Sequence, residues 1–286
     1  LVVSQLWLAP QGRLTAQRAP DDLAGVLARA AQYVAEYEEN QLGNLLAAED
    51  YVQDVELRGS QRFASGLRRQ QRRTLSDFLI LQVGRERVAL RRVTRLDGKT
   101  VNENQQNFFE LDNSPEGLRR QVAAISKEST QYNIGPILRQ INVPTFALAV
   151  VRAAESKRFA FVKEDTRKID GVETWEVRFK EQRSPTLTHG LNGESLLSSG
   201  ALWIEPQSGS ILRTEFAVEN PFSDPPVRGR ITVTYKQNKN LGMLVPAEMN
   251  ERYESGSALV ECFARYSDFR AFNVDVNSVI EAPLSR

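Results

Sequence analysis

The sequence predicts an α+β fold built on a strongly curved antiparallel sheet with helices packed against it. Three observations carry the α+β reading. Alternating apolar runs recur along most of the 286 residues. The connections between them are short, and helical periodicity is confined to the start and the middle of the chain. Short connections mean antiparallel pairing, because parallel strands need crossovers of about a dozen residues or more. About nine or ten strands with two groups of helices make an α+β arrangement. With 41% apolar residues the chain can bury a substantial core, and no linker divides it, so residues 18–286 are expected to form one domain.

From Leu1 to Ala9 the chain is apolar but for Ser4 and Gln5, and the run decays through Pro10-Gln11-Gly12-Arg13. Residues 1–17 read as the remnant of a secretory signal peptide; a flexible arm or an edge strand is the alternative. A first helix follows Pro20, capped by Asp21 or Asp22. Leu23, Val26, Leu27, Ala30, Val34 and Tyr37 fall on one face, Arg29, Gln32, Glu36 and Glu39 on the other, and Gly43 is placed to end it. Strand alternation then sets in with Tyr51, Val55 and Leu57. The basic run from Arg68 to Arg73 leads into a strand ending at Val83, another runs from Val88 to Val93, and Asp97-Gly98 is a turn.

Ser114-Pro115 opens a second helix, with serine at the cap and proline at the first helical position; Leu118, Val122 and Ile125 share its face. Two shorter helical pieces are expected over 133–138 and 143–151, each opened near a proline. The second is apolar nearly all round, which implies burial. From Arg158 onward the strands resume. Phe159 and Phe161 alternate, and Trp175, Val177 and Phe179 alternate with Thr174, Glu176 and Arg178. A loop covers 181–199, and Pro206-Gln207-Ser208-Gly209 joins a hairpin. A second loop covers 220–226. The closing strand puts Val260, Cys262, Ala264 and Tyr266 on one face.

The chemistry is sparse. A net charge of +1 from 37 basic and 36 acidic side chains gives no field that would draw nucleic acid. Nothing after residue 17 approaches the roughly 20 apolar residues of a membrane span. With one His and one Cys the chain lacks the ligand set of a zinc site, and the lone Cys262 reads as a buried, inert thiol. His189 stands near Ser184, Ser195 and Ser198, but no G-x-S-x-G elbow accompanies it, so no catalytic residue is assigned. The Arg68–Arg73 run alternates its charges between two faces; protection of an edge strand and an anionic partner both explain it. No phosphate-cradling glycine loop is present, and no cofactor is expected.

Several stretches resemble known proteins. Asn133-Ile134-Gly135, the segment from Arg139 to Leu148, the hairpin from Leu202 to Glu215, and Ala264 to Phe272 resemble a group of uncharacterised exported bacterial proteins of acidobacteria-like genomes. The second half is also similar to the LolA-like lipoprotein-carrier superfamily, through the hairpin at Leu202-Trp203-Ile204-Glu205, the Val245-Pro246 strand opening and the closing Tyr266-Ser267-Asp268-Phe269-Arg270. That resemblance implies a half-barrel sheet with helices on its concave side, and it carries no catalytic signature.

The expectation is a non-enzymatic periplasmic or secreted protein that binds a lipid, an acyl chain or a lipoprotein in an apolar cleft. Trp175, Val177, Phe179, Trp203, Phe216 and Tyr235 are the candidate lining; ordinary core is the alternative role for all six, since alternating apolar residues are what a half-buried strand needs. A structural or protein-interaction module of the cell envelope is the alternative function, and a hydrolase the remote one.

Overall fold

The computed structural model describes residues 22–41, 44–58, 67–83, 86–101, 111–112, 114–139 and 141–271. The segment expected to be a signal peptide, and Gly43, lie outside them. Helix α1 (Leu23–Glu36) opens on Asp22, whose carboxylate accepts the Gly25 N–H at 2.7 Å. Such a cap satisfies one of the amides left without a partner in the first turn. The helix buries Val26, Ala30 and Val34 along one stripe and runs into a single π turn over Tyr37–Gln41.

Four strands follow: β1 (Asn44–Arg58), β2 (Leu67–Val83), β3 (Glu86–Leu96) and β4 (Lys99–Thr100). Helix α2 (Pro115–Thr130) and two short 3-10 helices (Phe146–Val151 and Ser156–Arg158) come next. The remaining strands are β5 (Phe159–Ile169), β6 (Val172–Glu181), β7 (Thr188–His189), β8 (Ser195–Leu196), β9 (Ser198–Ile204), β10 (Ile211–Asn220), β11 (Val227–Asn238), β12 (Met243–Ser255) and β13 (Ala258–Ala271). Eleven of them form one sheet in the order β4-β3-β2-β1-β13-β12-β11-β10-β9-β6-β5, antiparallel throughout, while β7 and β8 make a separate hairpin.

The end strands β4 and β5 do not pair with each other, so the sheet is open. An open, twisted sheet this wide curls, and one continuous core fills its inner side, from Phe78 and Ile80 on β2 to Val177 and Phe179 on β6. Helix α1 and the first 3-10 helix cap that core with Val26, Ala30, Val34, Leu148 and Val150. The contact is close at the β9–β10 turn. Arg29 Nε donates to the Pro206 carbonyl at 2.7 Å. A Cβ on Gly209, whose φ is +77°, would stand 2.3 Å from the Arg29 backbone. Helix α2 takes a different position, setting Leu118 and Ile125 on the outward-facing Leu46, Leu79, Leu81 and Leu90.

Two local expectations are corrected. Residues 133–138 form turns and extended chain rather than a helix. Gly135 has a φ of +89°, which ends helical geometry, and a Cβ there would lie 3.1 Å from Val260 and 3.2 Å from Val55. The segment is flattened onto the sheet instead. The basic run occupies the part of β2 that extends beyond β3, whose pairing begins at Thr74↔Leu96. Among the described residues Arg68–Arg72 therefore has β1 on one side and is a sheet edge on the other, in keeping with edge protection. Its charges do divide by face: Arg69 and Arg73 pair with Asp54 and Asp50 outside, while Arg72 donates to the Tyr132 carbonyl inside. The loop expected over 181–199 contains the β7–β8 hairpin.

Candidate functional site

Two features of the inner face stand out: a polar cluster at its centre and an apolar cleft at one end. The cluster ties residues 131–144, a strap across the sheet, to the strands beneath. Gln53 donates to the Tyr132 carbonyl at 3.0 Å and accepts the Ile134 N–H at 3.0 Å. Arg139 donates to Gln53 at 2.7 Å, Cys262 Sγ at 2.9 Å and the Tyr51 hydroxyl at 3.2 Å. Arg91 pairs with the buried Glu49 at 2.8 Å and reaches the Asn142 carbonyl at 2.9 Å. Tyr235 closes the series with a bond from its hydroxyl to the Pro144 carbonyl at 2.6 Å.

Burial dominates the electrostatics of this cluster. Burial pushes the Cys262 thiol up to about 11, with Glu251 adding to the shift, so the nucleophilic thiolate is scarce near neutral pH. Burial also raises the Glu251 carboxyl above its usual range, against the Tyr253 hydroxyl that donates to it at 2.7 Å and the charges of Arg139 and Arg91. Burial alone would lower Arg91, but Glu49 holds it firmly protonated. Among the described residues no group of three or more His, Cys, Asp or Glu side chains is placed to hold a metal ion.

The cleft, about 560 Å³, lies where β1, β13, β12, β11 and β10 end together. Its floor is the inner row of those strands, Leu57, Ala258, Tyr253, Gly229 and Val218. Gly229 takes the place that Ile231, Val233 and Tyr235 fill further along β11, and a Cβ there would meet the Tyr253 ring at 3.1 Å. Ile137, Leu138 and Ile141 of the strap form the roof, and the β7–β8 hairpin forms a wall. Glu181 fixes that hairpin. One carboxylate oxygen accepts the Leu187 N–H at 2.8 Å, and the other accepts the Ser198 N–H at 3.1 Å and its hydroxyl at 2.7 Å. Around the mouth, Leu138 is 56% exposed and Leu191 is 73% exposed.

The six residues expected to line a cleft sit elsewhere. Trp175, Val177, Phe179, Phe216 and Tyr235 share the inner face and join the core. Phe179 meets the edge of Phe159 at 5.6 Å, and Phe146 of the 3-10 helix meets the edge of Phe216 at 5.2 Å. Trp203 pairs in register with Glu176 and Arg213, which puts it on the outer face, and Arg213 covers its ring at 4.9 Å. His189 is exposed at the cleft mouth, opposite Ser195 on the hairpin. Ser198 donates to Glu181, and nothing aligns it with the imidazole. The cleft lining went unnoticed because each strand contributes only one or two residues to it; the one signal was Gly229 interrupting a row of bulky inward residues.

Among the described residues no helix is long and apolar enough to cross a membrane. No family model matches the chain, and no curated protein matches its sequence. Among solved structures, it is similar to a DUF1329 family protein from Desulfovibrio piger, at 11% identity over 91% of this chain and 96% of that one, with a TM-score of 0.35. It is similar to a LolA superfamily protein from Nitrosomonas europaea, at 11% identity over 90% and 96%, with a TM-score of 0.32. It is also similar to the lipoprotein LppX of Mycobacterium tuberculosis, at 13% identity over 89% and 100%, with a TM-score of 0.29.

Proposed function

We propose that this chain is a non-enzymatic binding protein of an exported compartment, acting as one domain and taking an acyl chain, free or attached to a lipid or lipoprotein, into the cleft at the end of the sheet. The cleft itself carries this reading. It is concave, walled mainly by aliphatic side chains and open at an apolar rim, and its volume of about 560 Å³ falls within the range of small-molecule sites. Twelve buried methylenes would supply roughly 10 kcal/mol at ~0.8 each. Association takes ~4 kcal/mol or more of that, which leaves affinity of about tens of micromolar or weaker. Export rests on the apolar run over 1–9. The exposed Leu138, Leu191 and Phe222 around the mouth support the second reading, in which this end docks a protein of the cell envelope.

Native mass spectrometry of the protein purified from a bacterial periplasm, with lipid extraction of the same sample, tests the first reading. A co-purifying acyl species at one per chain is the expected result. Ser257→Trp, at an exposed position on the cleft wall, should abolish it while the circular dichroism spectrum is unchanged. Retention of the ligand by that variant would place it elsewhere, and a protein that takes up no acyl species even when one is added would move the reading to the docking module.

A further inference from the structure

An acyl chain lying in the cleft sets its head among the polar groups of the mouth, and charge is unevenly represented there. Among the described residues lining the cleft none is Lys or Arg, and Asp224 is the single acidic side chain. Arg68 stands in register with Leu57 on the inner face but does not line the cleft, and the cations next in sequence to lining residues are turned away. Arg58 follows the inward Leu57 and so alternates to the outer face. Arg228, between Val227 and Gly229, pairs with Glu219 at 3.2 Å. Arg252, before Tyr253, pairs with Glu254 at 2.7 Å and Glu261 at 2.6 Å.

The hydroxyls point the same way. Thr188 donates to the Leu196 carbonyl at 2.9 Å, Ser223 to the Asn220 carbonyl at 3.0 Å, and Ser255 to the Pro225 carbonyl at 3.2 Å. A hydroxyl has one proton and two lone pairs, so each of these three presents only acceptor capacity to a ligand. With the Asp224 carboxylate among them, the mouth is rich in acceptors, and among the described lining residues there is no Lys or Arg to meet an anion. His189, Ser257 and the Asn220 amide add donors. A carboxylate or phosphate drawn into this place would lose water without gaining a cation, which is costly.

We infer that the cleft selects acyl chains carrying a non-anionic, hydrogen-bond-donating head, such as the hydroxyls of an acylglycerol or an amine, over carboxylate and phosphate heads. This rests on the acyl-chain reading above. The test titrates the delipidated full chain with monopalmitoylglycerol, sphingosine, palmitate and palmitoyl lysophosphatidate near pH 8, where ordinary imidazoles are neutral. The glycerol ester or the amine, or both, should bind about ten-fold or more tightly than either anion, and which of the two does so identifies the donor. Asp224→Lys and Ser257→Lys, both at exposed positions on the mouth, should tighten palmitate and close the gap. Palmitate binding as well as the neutral ester would overturn the headgroup inference and leave the acyl-chain reading standing. Binding of none of the four would overturn both.

Discussion

Arg139 is 4% exposed and donates to Gln53, Cys262, Tyr51 and the Ile134 carbonyl together. A guanidinium so placed is held by partners that in turn need it. Arg139→Met removes the charge and its bonds to Gln53, Cys262 and the Tyr51 hydroxyl, and takes from Glu251 one of its two cationic supports. Breaking a buried charged network costs about 3–5 kcal/mol, which a urea titration would read as a lower midpoint. Glu251 behaves in the opposite sense. Its folded carboxyl holds the proton above the ordinary range, chiefly through burial. Between the unfolded and folded values the native state binds a proton that the unfolded chain has released, so stability falls as pH rises through that window. Glu251→Gln keeps an acceptor for the Tyr253 hydroxyl and removes the charge. The variant should be the more stable of the two above the window, with the difference vanishing on acidification towards the unfolded value. A difference that grows on acidification would show that the carboxylate, not the acid, is the favoured form. Cys262, with its raised thiol, should resist alkylation in the native protein and react once on unfolding.

At the scale of elements, the strap over 131–144 is what the polar cluster holds, and Gly135 is its tightest point. Alanine there must adopt a φ of +89° and bring a methyl group to 3.1 Å from Val260. Gly135→Ala should therefore cost about 1–3 kcal/mol, measured as a drop in thermal midpoint with no change in far-ultraviolet circular dichroism. The sequence marks this segment only by proline and glycine, which are compatible with a broken helix as well as with a flat strap. What decides between them is the pair of valines beneath, Val55 and Val260, distant in sequence. Helix α1 was legible down to its cap because Asp22 and the Val26-Ala30-Val34 stripe are local signals. The strands were legible as alternation, but alternation does not say which set faces inward. Trp203 looks like its inward neighbours Leu202 and Ile204 by character; only the register against Glu176 and Arg213 assigns it to the outer face. The long connection over 181–199 concealed a hairpin because what organises it is Glu181, a carboxylate bonded to residues on both of its sides.

Across the whole molecule, the sheet handles its two margins differently. Helix α2 covers the β2–β3 side, whereas β5 is left as an exposed edge carrying Lys163, Glu164, Asp165, Arg167 and Lys168. Charge on an edge strand discourages pairing with another chain, and the arginine run on the part of β2 beyond β3 does the same at the other margin. The inner side is divided as well. Helix α1 and the 3-10 helix fill the part over β6, β9 and β10, where four of the six expected lining residues are packed, with Tyr235 joining the same core from β11, and the cleft occupies the end they leave uncovered. This division predicts where a ligand is felt. Trp175 lies on the filled part and Trp203 on the outer face, and neither lines the cleft. In a Trp7→Phe background, saturating monopalmitoylglycerol should leave the tryptophan emission maximum unmoved while tyrosine-selective hydrogen exchange around Tyr253 slows. A shifted tryptophan maximum would mean that the ligand lies beneath α1 instead, displacing Val26, Ala30 and Val34 from the core. Opening that core would expose some of the protein's largest apolar surfaces, each fully buried side chain worth about 1.5–3 kcal/mol, a cost that the ready-made cleft avoids.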